Sequence, residues 1–146
     1  MKKVDQVNVV VAGSNEDPAY IAEESFVTQV KAQTKVINDS MTLESIRQLV
    51  DMYAEQQYKA EMLATIACES GRNKDGTFNP LLQSNFIDSA GAREQSYGIA
   101  QINIPAHPEI TIEEAQDPVF SVKFMASEFK KGNKWKWTCW RSLFAK

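Results

Sequence analysis

The sequence predicts an α+β chain, predominantly helical, with one small loop-and-hairpin region in its second half. Three observations carry this. Leu43, Ile46, Leu49, Val50 and Tyr53 recur at three- and four-residue spacing, the pattern of an amphipathic helix. "DPVFSVKFMASEFKKG" has Asp117 as N-cap, Pro118 at the first helical position and Gly132 beyond the end. Residues 71–95, between these patterns, are polar and rich in Gly, Asn, Asp and Ser, so they read as loop or hairpin, with "KDGT" a tight turn.

Residues 4–12 are rich in Val and alternate loosely, as a strand would, and "GSNEDP" reads as a turn. Residues 18–38 are helix-compatible with weak periodicity. Residues 1–40 are therefore expected to form an appendage, spacer or partner-docking segment, and residues 41–146 the domain proper. The helix over 43–53 opens that domain. A second runs from about Lys59 to Ser70 and is closed by Gly71. "SYGIAQIN", residues 96–103, is a short mixed stretch in which Gln101 and Asn103 alternate with Ile102 and Ile104, as on a half-buried strand. "TIEE" from Thr111 fits a capping box, and the helix after Asp117 follows.

The chain has 146 residues and 43% hydrophobic content, enough for one domain with a real core. A net charge of −3 gives no case for nucleic acid. The charge is uneven, however. Lys123 to Lys146 holds seven Lys or Arg against one acid, Glu128, together with Trp135, Trp137 and Trp140. Such an end could face an anionic or sugar polymer; the more ordinary reading is lysine solvating a surface while tryptophan fills core. Cys68, Cys139 and His107 lack zinc-finger spacing, and no metal or cofactor is expected. His107 sits in the loop "AHPEIT" and reads as incidental. No stretch approaches the roughly 18 apolar residues of a membrane span. "MKKVDQVNVVVAG" starts like a signal peptide, but Asp5, Gln6 and Asn8 interrupt it. An extracytoplasmic protein would then need another export route, or a leader or anchor outside this sequence.

"ATIACESGRN", residues 64–73, sets Glu69 beside Cys68 at the end of an apolar helix. With about 100° between helical neighbours, Glu69 falls near Met62 at the edge of the apolar stripe. Cys68 falls on the nearly opposite face, with Glu61 and Ala64. A carboxyl at an apolar edge near a helix C-terminus has a raised pKa and can stay protonated, the state a general acid needs. An exposed glutamate late in a helix is the commoner outcome of such a pattern.

The ordered set "ACES", Asn79-Pro80, "SYGIAQIN", a helix and then tryptophans resembles the lysozyme-like superfamily, and within it the lytic transglycosylases of the SLT type. Gly98-Ile99-Ala100-Gln101 stands where that family has "GLMQ", with Ala100 in place of the Met. "CES" with "WKWTC" is also similar to the resuscitation-promoting factors, and "SYGIAQIN" to the "DYGILQIN" of c-type lysozymes. The resemblance covers about residues 43–146.

The resemblance implies a lysozyme-like fold, an extracytoplasmic location and peptidoglycan glycan strands as substrate. Glu69 becomes the catalytic acid and base, and Ser70, Asn79, Ser96, Tyr97, Gln101 and Asn103 become substrate-binding candidates. Ser96 replaces the Asp that serves c-type lysozymes as second carboxylate. That departure suits a transglycosylase, in which one glutamate protonates the glycosidic oxygen and the 6-hydroxyl closes a 1,6-anhydro ring. Asp88 or Glu94 would instead serve an inverting, goose-type hydrolase, or be solvated loop charges. A glycan-binding module without turnover, or a part of a secretion or virion assembly docked through residues 1–40, is the other class. The resuscitation-promoting factors further imply a Cys68–Cys139 disulfide.

Overall fold

The computed structural model describes residues 40–146, together with Thr28. The strand expected over 4–12, the turn after it and the helix-compatible 18–38 lie outside the described residues, Thr28 apart. Among the described residues the chain is mostly helical, with one two-stranded antiparallel sheet.

α1 (Leu43–Tyr53) begins at Thr42, whose hydroxyl accepts from Ser45 N while the Ser45 side chain accepts from Thr42 N, so two N–H groups left without helical partners are satisfied. It buries Ile46, Leu49 and Val50, as the three- and four-residue spacing requires. α2 (Lys59–Glu69) buries Met62, Thr65 and Ile66; Ser70 caps it and Gly71 leaves it with a φ of 59°. α3 (Ile112–Gln116) has the capping box expected at Thr111, and Asp117 caps α4 (Pro118–Lys130) through Val119 N and Phe120 N. α5 (Thr138–Phe144) closes the chain. α1 packs on α2 and α4, and α2 also packs on α5.

Residues 71–95 form a looped arm. Asp75 accepts from Thr77 N in the expected "KDGT" turn, and Phe78 returns to the core by pairing with Met41. β1 (Ser96–Tyr97) pairs with β2 (Ile102–Asn103), Ser96 opposite Asn103, and a bridge from Gln83 to Tyr97 ties the arm alongside.

One expectation is corrected here. Gln101 lies in the turn Gly98–Gln101 rather than on the strand, with a φ of 48°. Its Nε2 donates to Gly98 O at 2.8 Å, which fastens the turn on itself. Gly98 is obligatory in this turn, because its φ is 77° and a Cβ there would lie 1.7 Å from Ala115 O. The hairpin thus seats directly on the α3–α4 junction. Trp137 locks the other side, donating from Nε1 to Ala100 O at 2.7 Å.

Candidate functional site

The helix end, the arm, the hairpin and the C-terminal segment enclose a cleft of about 950 Å³. Glu69 and Gly71 supply one wall, Leu82 to Phe86 with Glu94 a second, and Trp135 to Thr138 a third. Glu69 is half-buried because it follows the core-facing Thr65 and Ile66 by one helical turn. Burial pushes its pKa up; a 2.9 Å hydrogen bond from Cys139 N to Oε1 pulls it back, Glu94 pushes it up and Arg141 pulls it down. The net direction is upward, so the proton is held at higher pH than on an ordinary glutamate.

Cys68 and Cys139 form a disulfide with a Cα–Cα distance of 5.9 Å. Cys68 and Glu69, about 100° apart on the helix, therefore meet one residue. The Cys139 sulfur bonds Cys68, and its backbone N–H bonds Glu69. Glu61, on the Cys68 side, accepts from Trp140 Nε1 and from Lys134 Nζ, each at 2.8 Å.

Of the other sequence candidates, Ser96, Gln101, Asn103 and Glu94 line the cleft. Asn103 Nδ2 donates to Ser96 Oγ, and its Oδ1 caps the short turn of helix that follows. Glu94 accepts from Ser84 Oγ at 2.7 Å. Four candidates are not among the cleft-lining residues. Ser70 is buried with its hydroxyl donating back to Ile66 O at 2.6 Å. Asn79 makes a turn by accepting from Leu81 N. Tyr97 packs against the core. Asp88 closes the arm's tip, accepting from Ala90 N and Ala92 N. Ala100 is fully buried in the core.

Sequence reasoning missed Phe86 and passed over His107. Phe86 is 64% exposed and lines the cleft, as does Trp135, 58% exposed. His107 is a cleft residue set edge-on against Phe124. The signal for Phe86 was an aromatic isolated in a polar arm. For the tryptophans, only Trp135 faces the cleft exposed; Trp137 is core and Trp140 is held by Glu61. Among the described residues no three His, Cys, Asp or Glu side chains gather as metal ligands, and no helix is long and apolar enough to cross a membrane.

No protein-family model, curated protein or solved structure matches this chain.

Proposed function

We propose that this chain is a peptidoglycan lytic transglycosylase with a lysozyme-like fold, working outside the cytoplasm, with Glu69 as both acid and base. Residues 41–146 are its catalytic unit, and residues 1–40 dock a secretion-system or virion partner. The observation that carries the reading is the partly desolvated Glu69, protonated more readily than an ordinary glutamate, on the wall of a cleft large enough for sugars. Exposed Trp135 and Phe86 offer flat apolar faces to pyranose rings, and the Gln101 and Asn103 side chains offer polar groups.

In this reading Glu69 gives its proton to the oxygen between N-acetylmuramic acid and N-acetylglucosamine, and the bond from C1 to that oxygen breaks. The positive charge at C1 is shared with the N-acetyl group. The Glu69 carboxylate then takes the proton of the 6-hydroxyl as that oxygen bonds C1, which restores the acid and consumes no water. Serine at position 96, where its hydroxyl engages Asn103, supports a mechanism with no second carboxylate there.

Glu94 supports one other reading. It is a second carboxylate in the cleft, close enough to raise the Glu69 pKa, and could activate water in an inverting hydrolysis. Turnover on purified cell wall, followed by mass analysis of the fragments, tests both. Anhydro products that persist in Glu94→Gln support the transglycosylase. Reducing-end products lost in Glu94→Gln identify the hydrolase, and no cleavage at all rejects both.

A further inference from the structure

The disulfide and Glu69 meet at Cys139, and that meeting has a consequence for the chemistry. The Cys139 N–H sits 2.9 Å from Glu69 Oε1. Its Sγ is bonded to Cys68, the residue directly before Glu69. α2 and α5 are thus joined twice within two consecutive residues, once by a covalent bond and once by a hydrogen bond to the carboxylate. We propose that Cys139 is a positioning residue, and that the Cys68–Cys139 disulfide holds its N–H on Glu69 Oε1 and so fixes the carboxylate for proton transfer. The inference rests on the reading of Glu69 as acid and base.

Other contacts hold α5 less directly. Trp140 bonds Glu61, and Arg141 reaches back to Trp135 O. None of them bonds Glu69. A hydrogen bond to a carboxylate favours the charged form, so freeing the Cys139 N–H leaves the proton on Glu69 to higher pH. The other charged groups that act on Glu69 are Glu94 from the arm and Arg141 from α5, and His107 and Lys136 line the same cleft. All are retained when the cysteines are replaced. Misplacing a reacting group by about an ångström costs on the order of 100-fold in rate. Cys68 is exposed, so a reductant can reach the bond.

The test is a carbon-13 NMR titration of the Glu69 carboxyl in the full chain, wild type against Cys68→Ala/Cys139→Ala, paired with turnover on cell wall across pH. In the double variant the Glu69 titration should move to higher pH. The alkaline limb of turnover should move with it, and kcat should fall about 10- to 100-fold with KM little changed. Wild type treated with a dithiol, which reduces the pair to two thiols and itself closes to a disulfide, should behave the same way. Trp140→Phe loosens α5 without touching the disulfide; it should lower Tm and leave the Glu69 titration in place. A double variant whose Glu69 titration is unmoved overturns the positioning role, whatever its Tm. If that variant does not fold, the wild type still decides: the Cys139 amide proton must shift in step with the Glu69 titration, and an amide flat across it overturns the contact. A wild type that shows the NMR behaviour but cleaves nothing overturns the cleavage reading, and the catalytic role with it.

Discussion

Glu69 stands where a carboxylate is costly: half-buried, late in a helix and within the field of Glu94. Its folded pKa is raised, so its favourable contribution to folding is fully present below the ordinary glutamate pKa and is lost as pH rises through the folded value. Two outcomes follow. Glu69→Gln should lose cell-wall cleavage by at least about 100-fold, the scale of a lost general acid, while circular dichroism shows the fold intact. Its Tm at neutral pH should equal or exceed that of the wild type, because the mutation removes a carboxyl whose charged form is poorly solvated there. A lower Tm there would mean that the carboxylate is a structural partner rather than a strained functional one. The apolar edge that sets this environment was legible in the helical spacing of Met62, Ile66 and Glu69. What was not legible is which loop acid reaches it. Asp88 and Glu94 lie six residues apart in one polar arm, and only the fold separates a turn-closing Asp88 from a cleft-lining Glu94. In the same way "KWKW" does not say which tryptophan turns inward; the bond from Trp137 to Ala100 O decides it.

The helices were readable because their ends carry local chemistry: Thr111, Asp117 and Gly132 act where their side chains or backbone freedom dictate. The arm and the hairpin carry little such chemistry, since their shape comes from contacts distant in sequence. Gln101 read as a strand residue because the turn that holds it is set by the seating of Gly98 on Ala115. Gly98→Ala should therefore cost about 3 kcal/mol, from overpacking plus a disfavoured φ, read as a drop in the urea midpoint. A second element-scale outcome concerns the end of α4. Glu128 is 5% exposed and accepts from Lys136 at 2.5 Å and from Lys131 and Asn133 at 3.0 Å. Burial pushes its pKa up, but those hydrogen bonds outweigh it and bring the value down to about 2. A depressed carboxylate stabilises the fold above its unfolded pKa, and the gain is lost as pH falls from 4.5 to about 2. Glu128→Gln should thus destabilise the protein at pH 7 by about 1–3 kcal/mol, discounted because its lysine partners are partly exposed. The difference from wild type should shrink in acid unfolding curves through that window.

Across the whole molecule the cleft is an assembly of distant parts, with the arm and hairpin on one side and the C-terminal segment on the other. The disulfide spans 71 residues and joins the helix that carries Glu69 to the last helix of the chain. Closing such a loop stabilises the fold by about 4 kcal/mol in the chain-entropy model, with real cases often lower. Reduced protein should therefore unfold at a markedly lower Tm, seen in a thermal melt with and without a dithiol. A bond of this kind persists in oxidising surroundings, which agrees with the proposed cell-wall substrate. The central claim, that Glu69 cleaves glycan strands without water, is tested most directly by mass spectrometry of fragments released from purified peptidoglycan. The account predicts 1,6-anhydromuropeptides, one water lighter than hydrolysed fragments, released by the wild type and not by Glu69→Gln. Fragments ending only in reducing muramic acid, or anhydro fragments released equally by Glu69→Gln, would contradict it.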